Sequence, residues 1–388
     1  MMLLLLALGA MVPQEARFAP PVRLQAAGKI IRLAAPGYAA PCWHDVDRDG
    51  RKDLVVGQSD AGRITVYRGL ADGTFAAGTW LQAAGEDVEI PGVMECASST
   101  PQFVEMNGDG FLDLLSGSFS GQEDGMAGHF HVLWGNQDGT FRAPAVLQGS
   151  DGQPLVITAP DTEDADLQMI CTRPMAIDLD GDGKLDIVAG NFGGSFAFFQ
   201  GQGNGKFAPK SKWLQADGVE MKVPHHSDPF LVDWDKDGDF DLLSGSSSGG
   251  VFLFENKGSK TQPKFVASVT MVAAVEKAED QPIGDDHLRG PQTSTRVWVD
   301  DVNGDGKLDL LVGDMAPLAY AQEGVDPAAA KAALQGHRKA VMALYKQMQN
   351  ADEQQLVTLG KQHEELDRAK ARMVREVATG FVWLLLQE

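Results

Sequence analysis

Nine-residue acidic segments recur five times along the chain of 388 residues, and each carries side-chain oxygens that could hold a metal ion. In every copy an acid or an amide stands at positions 1, 3, 5 and 9, and glycine stands at position 6. The residues at the four oxygen-bearing positions are Asp45, Asp47, Asp49, Asp53, Glu105, Asn107, Asp109, Asp113, Asp178, Asp180, Asp182, Asp186, Asp233, Asp235, Asp237, Asp241, Asp301, Asn303, Asp305 and Asp309.

Closely spaced carboxylate and amide oxygens suit Ca²⁺, which takes six to eight oxygen ligands in a flexible shell. Glycine at position 6 permits the positive φ that a sharp bend needs, and position 7 would offer its backbone carbonyl. The spacing therefore favours up to five Ca²⁺ ions. Mg²⁺ fits less well because it demands stricter octahedral geometry. A metal-free acidic β-turn is the other interpretation, because Asp-Gly is a common turn signal.

The loops do not have the EF-hand pattern, which needs Glu at position 12 and a helix on each side. Position 12 is Val56, Ser116, Ala189, Ser244 or Val312. Short apolar runs flank the loops, and such runs are typical of strands.

Each acidic loop belongs to a longer repeat that predicts four β-strands, which we name A to D, with the loop between A and B. A glycine follows twelve residues after the first acid of every copy, at Gly57, Gly117, Gly190, Gly245 and Gly313. An apolar run and a glycine turn that leads to phenylalanine come next, as in Asp72-Gly-Thr-Phe75. Four antiparallel strands repeated five times predict an all-β fold, a five-bladed β-propeller.

The last repeat is interrupted. Residues 321–378 contain Asp326-Pro327, typical of a helix start, and two runs with apolar residues at helical spacing, the second reaching Val377. We predict a helical hairpin here, inserted between strands B and C of the last blade. The segment from Phe18 to Gly28 resembles the D strand at Phe75–Gly85, so we predict that it completes the fifth blade. The propeller would then comprise residues 17–320 plus 379–388.

Composition limits the partners and the compartment. With 54 acidic against 33 basic residues, the formal net charge is −21, and no basic stripe is present to neutralise phosphates, which argues against nucleic acid. Residues 1–12 form an apolar run too short to span a bilayer, and we interpret residues 1–16 as a signal peptide. No other segment is long enough for a membrane span, so the expected location is secreted, periplasmic or cell-surface.

Three cysteines do not make a disulfide scaffold, although Cys96 and Cys171 could be bridged.

The loops and their apolar-apolar-x-Gly tails resemble FG-GAP and VCBS repeats, found in integrin-type calcium-binding β-propellers and in many exported bacterial proteins. The resemblance covers roughly residues 18–320 and 380–388. It implies a propeller, Ca²⁺ held by the acids and amides named above, and an extracellular setting. Glu105, Asn107 and Asn303 depart from the all-aspartate pattern, and five blades are fewer than the seven common in the family.

Antiparallel alternation places the acidic loops on one face and the starts of the A strands on the other. Polar residues occur at those starts: Arg173, His225, His226, Asp228 and Arg296 are the candidate ligand-binding residues. They could bind an anionic or sugar-like ligand or a metal, or they could satisfy backbone groups at the strand ends.

No catalytic motif appears, so we identify no catalytic residues. The sequence favours an exported, calcium-stabilised binding module for a carbohydrate or protein ligand. The alternative is a polysaccharide lyase or hydrolase with its active site at the channel mouth opposite the calcium loops. The helical hairpin is a candidate protein-interaction arm.

Overall fold

A computed structural model describes residues 17–92, 97–119, 128–158, 169–276 and 282–388. Five antiparallel sheets are arranged as the blades of a β-propeller, and two helices interrupt the last blade. The predicted fold class is therefore confirmed. The predicted signal peptide and Cys96 lie outside the described residues, while Cys42 and Cys171 are free, buried thiols. No helix in the described part of the chain combines the length and the hydropathy needed to cross a bilayer.

The strands follow the repeat. The N-terminal segment contains β1 (Val22–Arg23), β2 (Gln25–Ala26) and β3 (Lys29–Ile30). Blade 1 consists of β4 (Ala40–His44), β5 (Asp53–Gly57), β6 (Ile64–Tyr67) and β7 (Thr79–Trp80), followed by the small hairpin of β8 (Gln82–Ala83) and β9 (Glu86–Asp87). Blade 2 consists of β10 (Gln102–Val104), β11 (Asp113–Ser116), β12 (His131–Leu133) and β13 (Ala145–Val146).

The remaining blades have the same order with additions. Blade 3 is formed by β14 (Arg173–Ile177), β15 (Asp186–Gly190), β16 (Phe196–Phe199) and β19 (Lys212–Trp213), with the hairpins β17 (Gly201–Gly203)–β18 (Lys206–Phe207) and β20 (Gln215–Ala216)–β21 (Val219–Glu220). Blade 4 is formed by β22 (Asp228–Val232), β23 (Asp241–Gly245), β24 (Val251–Phe254) and β25 (Val269–Val272). Blade 5 contains β26 (Thr293–Asp300), β27 (Asp309–Ala321) and β29 (Val382–Leu385).

The N-terminal strand closes the ring, as predicted. Strand β1 pairs with β29, placing Val22 opposite Leu384 and Arg23 opposite Trp383. The outer strand of blade 5 thus comes from the opposite end of the chain. A closed ring leaves no unpaired blade edge at the junction of the two ends, where an open edge would invite aggregation.

The repeat glycines allow neighbouring blades to approach closely. A Cβ added at any of them would lie 1.8 to 2.3 Å from a backbone carbonyl oxygen of the next blade. The five carbonyls belong to Ser99, Thr172, Ser227, Thr295 and Ala39, and the contact between Gly313 and Ala39 joins blade 5 to blade 1. A side chain at these positions would separate the blades, which explains why glycine recurs there.

Hydroxyl groups add a second contact at four of the junctions. The Ser227 hydroxyl accepts a hydrogen bond from the Asn191 backbone (2.9 Å) and donates to the Ser195 carbonyl (2.6 Å). Ser99, Thr172 and Thr295 make the corresponding contacts with the blade that precedes their own. These polar strand starts therefore satisfy backbone groups, one of the two roles considered from the sequence.

Ala39 has no hydroxyl, and at the fifth junction its backbone N–H donates to the Asp314 carbonyl (3.1 Å). The side chain of Asp314 holds together the strands of blade 5 itself. The buried Asp314 accepts hydrogen bonds from the backbone of Phe381 (2.8 Å) and Gln292 (2.9 Å) and from the Trp383 indole (3.0 Å). Burial raises the pKa of Asp314 to about 6, although these three donors act to lower it. One carboxylate thus joins strands A, B and C of the blade that closes the ring.

The inserted hairpin contains α1 (Pro327–Met348) and α2 (Glu353–Ala371). Asp326 caps α1 by accepting a hydrogen bond from Ala329 (3.0 Å), and Pro327 stands in its first turn, as the sequence predicts.

The predicted helical stretch to residue 378 is wrong at its end. The segment Val374–Thr379 is a strand, β28, which pairs with an extension of β27 over Ala316–Ala321. Its apolar residues suit either a helix or a strand, and the extended β27 supplies the edge that decides between them. The hairpin therefore stands on a two-stranded ribbon continuous with blade 5.

We expect Gly190→Ala to destabilise the protein by about 1–3 kcal/mol, because its methyl group would overlap the Ser227 carbonyl. Gly336→Ala in α1 is the matched control: nothing lies within 4 Å of its added Cβ, and alanine favours a helix by about 1 kcal/mol. Urea unfolding of both variants measures the difference. Equal stabilities would contradict close packing at the blade junction.

Candidate metal loops and the channel mouth

The aspartates at position 9 anchor the acidic loops to the propeller. All five are buried. Asp186, for example, accepts hydrogen bonds from the backbone of Leu179 (2.9 Å) and Gly201 (2.7 Å), which ties its loop to the end of the third strand of the blade. The same two contacts occur at Asp53, Asp113, Asp241 and Asp309. Position 9 therefore has a structural role independent of any metal.

In the three all-aspartate loops, carboxylate oxygens from three residues converge to within 4.8 Å of one another. The three groups are Asp45, Asp47 and Asp53; Asp178, Asp180 and Asp186; and Asp233, Asp235 and Asp237. Hard, closely spaced oxygen ligands of this kind match the preference of Ca²⁺.

Two of these loops contain an unsatisfied carboxylate oxygen. The Oδ1 atoms of Asp178 and Asp233, both at position 1, are buried and accept no hydrogen bond among the described residues. Burial, together with neighbouring aspartates, raises the pKa of Asp186 to about 6 and of Asp241 to about 7. A bound cation would supply the positive charge that these carboxylates otherwise lack, so the residues fit a Ca²⁺ ion.

In the first loop a positive charge lies directly at two of the three converging aspartates. The Arg68 guanidinium donates to Asp53 at 2.6 Å and lies 3.4 Å from Asp47. The Arg68 guanidinium therefore partly neutralises the carboxylates to which a cation would bind. We therefore expect the loop at 45–53 to bind Ca²⁺ more weakly than the loops at 178–186 and 233–241.

The two amide-containing loops differ at position 3. The Asn107 amide donates to Asp109 (3.0 Å), and the Asn303 amide donates to Asp305 (3.2 Å). An amide supplies one oxygen and no charge, so less repulsion has to be offset in these loops. Ca²⁺ binding by their residues remains a prediction.

The opposite end of the inner strands forms the channel mouth. Arg173 begins β14 and Asp178 follows its last residue, so the two side chains stand roughly 16 Å apart along the strand. The residues five positions before each loop acid line a narrow central channel of about 40 Å³: Ala40, Thr100, Arg173, Asp228 and Arg296. Blades 3, 4 and 5 thus place Arg, Asp and Arg side by side.

These three charged side chains are buried, with exposed fractions of 3% for Arg173, 9% for Asp228 and 1% for Arg296. Arg173 Nη1 lies 3.8 Å from Asp228 Oδ1, while Asp228 Oδ2 accepts a hydrogen bond from the Val297 backbone (2.9 Å). Arg296 donates to the Ser99 carbonyl (3.3 Å) and to the Ser98 hydroxyl. Burial, followed by repulsion from Arg173, lowers the pKa of Arg296 to about 9.

A cavity of about 130 Å³ opens beside this cluster. It is lined by Tyr38, Ser59, Ser98, Phe119, Cys171, Arg173, Phe192 and His226. Burial and the two arginines lower the pKa of His226 to about 3, so its imidazole is neutral near pH 7. The channel and the cavity together combine a narrow polar cleft with aromatic walls.

Four of the five candidate ligand residues meet here. Arg173, Asp228, Arg296 and His226 lie at the mouth, whereas His225 is exposed and does not line the cavity. The sequence reasoning did not assign Cys171, which stands two residues before Arg173 and accepts its hydrogen bond (3.2 Å). It also omitted Tyr38, which precedes the first repeat and packs its ring 5.9 Å from the Arg296 guanidinium. No motif marks Tyr38, so only the fold could reveal its place.

Residues 178–244 match the family model of the FG-GAP-like repeat. The matched stretch contains the loops of blades 3 and 4. This match confirms the resemblance to FG-GAP repeats, and in this chain the repeat is built into a propeller of five blades.

Solved structures give distant similarities. A lectin from Agrocybe aegerita that recognises non-reducing terminal N-acetylglucosamine is 18% identical, with 71% of this chain and 60% of that chain covered and a TM-score of 0.33. The catalytic domain of a GH62 α-L-arabinofuranosidase from Coprinopsis cinerea is 10% identical, with coverages of 78% and 92% and a TM-score of 0.44. A GH43 β-1,3-galactosidase with galactodeoxynojirimycin is 10% identical, with coverages of 76% and 90% and a TM-score of 0.42. No curated protein matches the sequence. At these scores the similarities carry no argument about function.

We expect removal of Ca²⁺ with EGTA to lower the melting temperature by roughly 5 °C or more, because an ion that binds only the native state stabilises it by mass action. Asp180→Asn should reduce this shift. Asp138→Asn should leave it intact, because Asp138 lies in a separate exposed turn, where it accepts from Thr140. Scanning calorimetry with and without EGTA measures all three proteins. A melting temperature indifferent to EGTA would contradict metal binding.

Proposed function

We propose that this chain is an exported, calcium-stabilised β-propeller that binds a carbohydrate or protein ligand at the channel mouth. The observation that carries the proposal is the buried cluster of Arg173, Asp228 and Arg296 beside a cavity of about 130 Å³. Buried charges cost free energy unless they are paired and hydrogen-bonded. A site that contributes nothing to binding would more simply carry apolar residues there, as Ala40 does in blade 1.

The two faces then have different roles. The acidic loops each join two strands of one blade, and Ca²⁺ in them would stabilise the ring without contacting a ligand. The mouth combines side chains from several blades, so a ligand bound there contacts the assembled propeller. Residues 1–16, as a signal peptide, would bring the chain to a compartment where Ca²⁺ is abundant enough to fill weak oxygen sites.

A hydrolase is the weaker interpretation of the mouth. Most glycoside hydrolases need two carboxylates about 5 to 9.5 Å apart. Asp228 is the only carboxylate among the described residues that line the channel and the cavity. The described part of the mouth therefore lacks the acid–base pair that this chemistry requires.

A polysaccharide lyase is the second candidate, and His226 is the observation that favours it. Its imidazole lines the cavity beside Arg173, and the nearby arginines could stabilise negative charge that develops on a bound uronate. A pKa of about 3 makes His226 a weak base, so it could accept a proton only if the charge of the bound uronate raised that pKa. His226 packs against Phe192, with ring centroids 4.4 Å apart, which holds the imidazole at the cavity wall.

The helical hairpin is a possible docking arm for a protein partner. Met342, Tyr345, Leu356 and Val357 expose large apolar surfaces on it. Asp367 on α2 contacts His337 on α1 at 2.8 Å and His363 at 3.3 Å, so the contact with His337 joins the two helices. This arm lies outside the repeats and is not needed to complete any blade.

A glycan array together with a turnover assay tests the proposal. The wild-type protein should bind a subset of glycans, and the Arg173→Ala/Arg296→Ala double variant should lose that binding. Arg142→Ala, an exposed arginine in blade 2, should retain it. Release of unsaturated uronate, lost in the double variant, would favour the lyase. Unchanged binding by the double variant would contradict a site at the mouth.

A further inference from the structure

We propose that the group recognised at the channel mouth is an organic carboxylate, such as that of a uronic acid, bound by Arg173 and Arg296. This inference rests on the proposed binding function and specifies its ligand class.

The charges at the mouth do not balance. Two guanidinium groups face one carboxylate, and all three residues are buried, the two arginines almost completely. His226 is neutral near pH 7 and adds no further positive charge. The described residues therefore leave one buried positive charge without a counter-ion, and one anionic group would neutralise it.

The hydrogen bonds of the two arginines show a matching shortage of acceptors. An arginine has five N–H donors in a fixed fork. Arg173 Nε and Nη1 and Arg296 Nε are buried and make no hydrogen bond with the described residues. The donor bond that Arg173 does make goes to the Cys171 sulfur, a weak acceptor. Asp228 does not supply the missing acceptor, because its Oδ1 lies 3.8 Å from Arg173 Nη1, beyond hydrogen-bond distance, and its Oδ2 accepts from the Val297 backbone.

The geometry of guanidinium groups selects the class of anion. Their parallel N–H donors match the two oxygens of a carboxylate, which explains the frequency of bidentate arginine–carboxylate pairs. The cavity beside Arg173 has room for a few heavy atoms, and Tyr38, Phe119 and Phe192 form part of its wall. Aromatic walls suit a carbon-bearing ligand better than inorganic phosphate or sulfate, which have only polar surface.

The remaining neighbours hold the two arginines in place. Arg296 is fixed by its bonds to Ser98 and Ser99 and by the Tyr38 ring. Ser98 and Tyr38 also line the cavity, so Arg296 contacts two of its wall residues. Arg173 lines both the channel and the cavity. An anionic ligand bound where the channel joins the cavity would contact Arg173 directly. The Arg296 guanidinium would lie behind Arg173.

Isothermal titration calorimetry of the full chain in Ca²⁺ tests the inference with four probes: D-galacturonate, D-glucuronate, the methyl ester of galacturonate and inorganic phosphate. We expect at least one uronate to bind and its neutral counterpart to bind at least about tenfold more weakly, because the ester leaves a buried charge unpaired. Arg173→Gln should remove this preference, whereas Arg142→Gln should keep it. Arg296→Gln is the second test variant should Arg173→Gln fail to fold, and the acid–ester comparison itself needs no variant.

Each outcome separates the two proposals. Equal affinities for a uronate and its ester would overturn the carboxylate inference and leave the binding function intact. Phosphate binding as tight as uronate binding would overturn the assignment to an organic acid. Failure of both the uronates and a glycan array to show any binding would overturn carbohydrate binding at the mouth, and with it the carboxylate inference, and would leave a protein ligand as the proposed function. Preference for the acid that survives Arg173→Gln and Arg296→Gln would place the anion elsewhere.

Discussion

Close contact between neighbouring blades is the constraint on which the whole ring depends. At each junction a glycine near the end of one B strand faces a carbonyl at or near the start of the next A strand, with no space for a side chain between them. The fifth such contact, between Gly313 and Ala39, exists only because the N-terminal segment returns to blade 5 and pairs β1 with β29. Closure therefore fixes the A strands against one another, and with them the residues at the channel mouth.

The two faces of this ring carry charged groups of opposite sign that lack partners. On one face, groups of aspartates approach within 4.8 Å of one another and some of their oxygens lack donors. On the other, buried guanidinium groups lack acceptors. A five-residue inner strand separates the two sets, so a cation and an anion can each be bound without meeting. The proposed roles follow from that separation: cations would hold the strands of each blade together, and the mouth would recognise a ligand.

Much of the fold was predictable from the sequence because the same four-strand pattern recurs five times. The acidic loops, the glycines and the apolar runs determine the blades, and the match between Phe18–Gly28 and Phe75–Gly85 predicts the closing strand. The ribbon of β28 and the extended β27 was not predictable, because Val374–Thr379 becomes a strand only beside a partner that no repeat contains.

The site was predictable in part. Arg173, Asp228 and Arg296 share one repeat position, so their convergence followed from the repeat itself. The contribution of Tyr38 depends on the turn before β4. The excess of positive charge at the mouth matters because the charged residues are buried, and burial cannot be read from a sequence. The roles of Ser99, Thr172, Ser227 and Thr295 were ambiguous until their hydrogen bonds to the preceding blade were seen.

The most direct test of the division between the two faces is anomalous diffraction from crystals of the full chain grown in CaCl₂ and soaked in bromide. The account predicts calcium peaks within the acidic loops, strongest at 178–186 and 233–241, and a bromide peak beside Arg173 and Arg296 at the channel mouth. Bromide found only on the outer surface, with none near the two arginines, would contradict the account.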